Sequence, residues 1–144
     1  MVKNTLKYIF IYILLVGCGS PLVCEDDCYL DIKAPDLQMD SNGYYHIEYL
    51  DSYTQTFSTL EAETGIIDYT QKVKWISDTE IFISGYWIPL VNQFSYTDND
   101  GKAYTVLGIW ENFIGDTIKV YSGYTDNCNI FHFDSLEVII DDEQ

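Results

Sequence analysis

Beyond Asn42-Gly43 the chain alternates apolar and polar positions with a period of two, in short runs separated by turn-forming residues. Tyr45, Ile47 and Tyr49 fall on one face of the first run, with Tyr44, His46 and Glu48 on the other. Side chains of a strand point alternately to its two faces, so this pattern predicts half-buried strands. Gln55 to Thr64 alternates in the same way, and Lys72-Val-Lys-Trp-Ile76 sets Val73 and Trp75 against Lys72, Lys74 and Ile76. That places Trp75 in the core. Glu80 to Ser84 reads as a further strand, with Gly85 permitting a bulge and Pro89 limiting pairing to an edge. Asp98-Asn-Asp-Gly101 predicts a hairpin between Phe94-Ser-Tyr96 and Tyr104 to Trp110, because Asn and Gly tolerate the positive φ of a tight turn. Asp116 to Tyr121 and Phe133 to Ile140 complete the set. An apolar period of 3.6 residues never persists for three turns. The expectation is an all-β sandwich of seven to eight strands forming one domain over residues 41–144.

A different pattern precedes it. Met1 to Lys7 is polar and carries Lys3 and Lys7, Tyr8 to Val16 is apolar, and Leu15-Val16-Gly17-Cys18 ends the block. The apolar stretch is about half the 20 residues a membrane-spanning helix needs, and it suits a secretory signal segment. Its ending resembles the lipobox of bacterial lipoproteins. The resemblance implies that residues 1–17 are removed and that Cys18 accepts diacylglycerol and fatty acyl chains such as palmitate. The membrane partner would then be reached through lipidated Cys18, since two or more chains hold stably where one holds marginally. Gly19, not an acidic residue, follows the cysteine. In a host with two membranes that resembles lipoproteins sent to the outer rather than the inner one. Residues 18–40 are acidic and carry Pro21 and Pro35, with one alternating piece at Tyr29-Leu-Asp-Ile32. They read as a tether that donates an edge strand, reaching roughly 70 Å if extended.

Charge narrows the partners. The net charge of −16 becomes −18 once Lys3 and Lys7 are removed with residues 1–17, and the chain has no Arg. Such a surface repels phosphate backbones and lacks the usual bidentate clamp for anions, which argues against nucleic acid. Protein, glycan or calcium partners stay open. Asp98-x-Asp100-Gly101 is similar to part of a calcium loop and raises a calcium-dependent interaction domain as an alternative. Leu107, however, stands where the EF-hand pattern requires glutamate.

The order of strands also resembles an immunoglobulin-like Greek-key domain. Leu60-Glu-Ala62 lies 13 residues before Trp75, like the second strand and the core tryptophan of the third, and Asp116-x-Ile118-x-Val120-x-Ser122 follows the spacing of the sixth. Ala62 and Ser122 stand where antibody domains place their disulfide, and Val120 replaces the corner tyrosine. Three cysteines remain after Cys18: Cys24, Cys28 and Cys128. The resemblance implies that the incoming chain and the loop after the sixth strand share one end of the sandwich. On that basis it favours Cys28 paired with Cys128, with Cys24–Cys28 as the alternative.

Cys24-x3-Cys28 and Cys128-x3-His132 supply four donors of the types zinc accepts, but secreted cysteines oxidise readily, and no metal and no cofactor are expected. His46 beside Glu48 makes no catalytic site without a nucleophile or pocket, so the chain is not read as an enzyme. Tyr86, Trp87 and Trp110 are the ligand-binding candidates. Their flat apolar faces with polar edges suit sugars or a protein partner, and a platform would need two of them coplanar and exposed. The functional expectation is a lipid-anchored cell-envelope protein with a binding or structural module, and a carbohydrate-binding module is its alternative.

Overall fold

A computed structural model describes residues 28–50, 54–67 and 69–142; residues 1–17, read above as a signal segment, and Cys18 and Cys24 lie outside them. The described chain is all-β. Its strands are β1 (Asp31–Lys33), β2 (Gln38–Met39), β3 (Tyr45–Tyr49), β4 (Thr56–Glu63), β5 (Lys72–Ser77), β6 (Glu80–Ile83), β7 (Tyr86–Pro89), β8 (Phe94–Tyr96), β9 (Lys102–Ile109), β10 (Thr117–Thr125) and β11 (Phe131–Asp142). A 3₁₀ turn at Glu111–Phe113 precedes β10. No helix among the described residues is long and apolar enough to cross a membrane.

Three sheets result, in the orders β1-β4-β9, β2-β3-β11-β10-β5-β8 and β6-β7. All pairings are antiparallel except β3 with β11, which run parallel. The inward residues of the first two sheets meet in one apolar core. Ile32, Leu60, Ala62, Ala103, Leu107 and Ile109 come from one side, and Ile47, Val73, Trp75, Ile118, Val120, Val138 and Ile140 from the other. This arrangement is compatible with a sandwich and is not a barrel. Trp75 is 1% exposed, and its indole Nε1 donates to Ser95 Oγ at 2.9 Å, which joins β5 to β8 through the core. The hydrogen bond matters because a buried N–H without an acceptor costs about 1–3 kcal/mol.

Among the described residues eleven strands stand where seven or eight were expected, and the surplus is short. β1 and β2 lie inside the stretch read as tether, with Ile32 and Ala34 buried. Polar fastenings explain why so short an edge strand docks. The Ile32 amide donates to Asp134 Oδ2 at 3.0 Å, and Lys33 Nζ approaches Glu61 at 3.6 Å and Glu63 at 3.3 Å. The other addition is β7, which forms a hairpin with the expected strand β6. Ser84 and Gly85, both at positive φ (54° and 90°), form its two-residue turn, so Gly85 is a turn residue and not a bulge.

The Asp98-Asn-Asp-Gly101 turn forms, but its arms do not pair as a hairpin. β8 pairs with β5 and β9 with β4, so the turn carries the chain from one large sheet to the other. Turn chemistry is local. Which strand each arm joins is decided by the inward residues that must reach the core, and a linear pattern does not contain that choice.

Candidate functional site

The same turn is built three times. Asp40, Asp98 and Asp126 each receive two backbone donors on Oδ1: Asn42 and Tyr44 (2.8 and 2.9 Å), Asp100 and Lys102 (2.9 and 3.0 Å), and Cys128 and Ile130 (2.8 and 2.9 Å). In each, the Asp amide donates to the carbonyl four residues on, at 2.8, 2.8 and 3.0 Å. The fourth turn residue has positive φ: Gly43 at 91°, Gly101 at 75° and Asn129 at 62°. Glycine adopts that conformation without a Cβ penalty, and asparagine is the next best tolerated. Asp98 thus spends one oxygen on its own turn.

What the second carboxylate oxygen meets differs. Asp126 Oδ2 accepts from His132 Nε2 at 2.8 Å, with side chains 5% and 17% exposed. His132 and Tyr124 are directly paired across β10 and β11, and their rings stack at 5.0 Å with an 18° interplanar angle. The Tyr124 hydroxyl lies 3.0 Å from the Thr64 carbonyl and 3.1 Å from that of Tyr29, which pins the incoming chain against the core. Cys28, arriving on that segment, completes the group. One donor atom each from Cys28, Asp126 and His132 lies within 4.8 Å of the other two, the one such grouping of three His, Cys, Asp or Glu donors found among the described residues. The His132 hydrogen bond, helped by the Ile130 and Cys128 amides and opposed by desolvation, holds the Asp126 carboxyl below the usual carboxylate range. Burial, with Cys28 and Asp126 nearby, pushes the Tyr124 phenol well up.

Cys128 is disulfide-bonded, but not to Cys28, so the favoured Cys28–Cys128 bond does not form. The Cys28 sulfur faces Asp126 and His132 instead. The expected proximity of the incoming chain to the loop after β10 is nonetheless present.

The outer face of the six-stranded sheet is the second candidate. Lys74 pairs with Phe94 on β8 and Gly123 on β10, and Gly123 with Phe133 on β11. Ile76 pairs with Tyr121 in the adjoining row. A Cβ at residue 123 would sit 2.5 Å from Phe131 Cζ, so the Phe131 ring occupies the space the glycine leaves. Ile76, Phe94, Tyr96, Tyr121, Phe131 and Phe133 are all exposed. Lys72 Nζ lies 4.2 Å from the Phe94 ring centre, and Lys119 Nζ lies 5.6 Å from that of Tyr121 and 3.1 Å from Glu137. Three of the chain's seven lysines therefore stand on one aromatic face, where β5, β8 and β10 contribute no carboxylate. A cavity of about 350 Å³ borders it, lined by Lys72, Lys74, Ile76, Glu80, Gln93 and Phe94 among others.

Tyr86 and Trp87 are 74% and 65% exposed, but as neighbours on β7 they point to opposite faces of the hairpin. Trp87 pairs instead with Phe82, ring centres 5.1 Å apart and tilted by 53°. Trp110 packs half-buried against the core. The three do not form the flat platform the sequence suggested. The sheet-face aromatics were missed because they sit on three separate strands whose register unites them.

Neither a protein family, nor a characterised protein, nor a solved structure matches this chain.

Proposed function

We propose that this chain is a lipid-anchored protein of a bacterial cell envelope whose immunoglobulin-like sandwich binds an anionic glycan through the outer face of its six-stranded sheet. The face itself carries the reading. Aromatic rings offer stacking surface for sugar rings, and Lys72 and Lys74 offer ammonium groups to carboxylates or sulfates, in a chain otherwise dominated by acids. The lysines favour an acidic over a neutral ligand. The strand partition supports the finer fold, since β4 with β9, and β5 with β10 and β11, match the division of an immunoglobulin-like Greek key. Ala62 and Ser122, both buried, stand at the positions of its absent disulfide, and Ser122 is paired with Trp75. The lipobox at Cys18 supports the anchor, which would hold this face outside the cytoplasm.

Two measurements test the parts separately. Cys18→Ala is expected to move the protein from the membrane to the soluble fraction, and unchanged retention overturns the anchor. Full-length protein is expected to bind a polyuronate in a salt-sensitive manner and a neutral glucan weakly. Lys74→Glu or Tyr121→Ala should each weaken polyuronate binding by roughly tenfold, about 1.4 kcal/mol. Equal binding of both polymers, or no response to either substitution, overturns the glycan reading. The Phe82–Trp87 pair favours a second reading, neutral-sugar binding at the hairpin, which preferential glucan binding abolished by Trp87→Ala would establish in its place.

A further inference from the structure

We propose that Cys28, Asp126 and His132 form a three-ligand site for a divalent ion of the zinc class, which clips the incoming N-terminal segment to the β10–β11 turn. The donor set is the first argument. Thiolate, carboxylate and imidazole are the ligands a borderline-soft dication accepts, and three protein ligands with one open position is a regular zinc arrangement. A neutral imidazole with one thiolate and one carboxylate gives a donor charge of −2 against an ion of +2. The thiol proton passes to solvent on binding.

The second argument is convergence. The Asp126–His132 hydrogen bond accounts for those two residues alone, since the turn needs Asp126 and Asp126 orients His132. The thiol comes from a segment far away in sequence, and its sulfur arrives within 4.8 Å of both. A tetrahedral ion with bonds of about 2.0–2.3 Å separates its donors by roughly 3.3–3.8 Å. His132 and Asp126, now 2.8 Å apart, would open a little, and Cys28 would close in. The surroundings already hold the ligands in place. Two backbone amides fix Asp126 Oδ1, the Tyr124 ring lies flat on the imidazole, and the Tyr124 hydroxyl is anchored at the Thr64 carbonyl. Such outer partners set ligand orientation and typically change metal affinity about 10–100-fold when removed.

The third argument concerns Cys128. Its disulfide removes it from any ligand set, and Asp126, two residues earlier, supplies the donor in its place. Cys28 and His132 of the sequence pattern are thus retained, with Asp126 standing in for Cys128.

Cobalt(II) is the test probe, because a thiolate bound to it gives a near-ultraviolet charge-transfer band and a tetrahedral site gives intense visible bands. Titrated into the full chain without reductant, cobalt is expected to give both at one equivalent, and zinc to displace it and raise the Tm. Cys28→Ser should abolish the charge-transfer band, and His132→Gln should weaken zinc binding at least about tenfold. Circular dichroism matched to wild type shows that each variant folds. A missing charge-transfer band in the wild-type protein, its persistence in Cys28→Ser, or unaltered zinc affinity in His132→Gln overturns the site. Glycan binding by the sheet face is unaffected by any of these results.

Discussion

The turns at Asp40 and Asp126 share a backbone network and a further feature: each is followed, six residues after its aspartate, by one of the chain's two histidines. Around Asp40 the arrangement is open. His46 donates through Nδ1 to Asp141 at 2.8 Å and its Nε2 lies 3.6 Å from Asp40, with all three side chains about a third exposed or more. Around Asp126 it is closed, with a stacked tyrosine on one side and a thiol within reach. The Asp98 turn has the same backbone and Tyr104 at the sixth position, so the histidine is no part of the turn's requirement. One local device therefore serves three purposes. At Asp98 it changes sheets, at Asp40 it fastens a parallel strand by charge, and at Asp126 it presents a carboxylate to His132.

The largest effect that would test this equivalence is expected at the glycines. At Gly101 a Cβ would sit 2.4 Å from the Ile66 carbonyl oxygen, whereas at Gly43 nothing lies within 4 Å. Both substitutions incur the left-handed penalty of about 1–2 kcal/mol, and Gly101→Ala adds an overpacking cost of about 1–3 kcal/mol. Urea denaturation should place Gly101→Ala clearly below Gly43→Ala, and equal losses would mean that the surroundings of the sheet-crossing turn yield freely.

Much of this was visible in the alternating pattern. The faces of β3, β4 and β5, the burial of Trp75 and the two Asp-x-x-Gly turns follow from period and residue type alone. Ser84-Gly85 carried its own turn signal but was masked by the apolar run around it, so one expected strand is half of a hairpin. The Asp126 turn was harder to see because Asn129 stands where its two counterparts have glycine. Pairing was least visible. Tyr121, Phe94 and Phe133 share a face through register, and Cys28 meets His132 through a docked edge strand. The first relation leaves no trace in sequence spacing, and the second was anticipated only through the immunoglobulin-like resemblance.

Asn129 gives a smaller effect of opposite sign. It is exposed and adopts φ 62° at the position its counterparts fill with glycine. Asn129→Gly relieves the residual left-handed strain while adding unfolded-chain entropy, so the net gain should be at most about 1 kcal/mol. A loss in denaturation experiments would show that the Asn129 side chain contributes to the Asp126 turn in a way that Gly43 and Gly101 do not to theirs.

The smallest effect is the pH response of the open histidine. The hydrogen bond to Asp141, reinforced by Asp40, raises the His46 pKa above its ordinary value, while the Tyr44 amide first, then Asn42, holds Asp40 below its own. Glu48, paired with Asp141 across β3 and β11, adds a further carboxylate to the same strand faces. A group whose folded pKa is raised stabilises fully below its unfolded pKa and loses that contribution as pH rises through the folded value. Wild type should therefore melt above His46→Asn at about pH 6 and converge with it at about pH 9. The depressed Asp40 pKa acts in the other window, present at neutral pH and lost as acid protonates the carboxylate. A gap between wild type and variant that stays constant from acid to base would mean that His46 holds β3 to β11 by its hydrogen bond alone and not by charge.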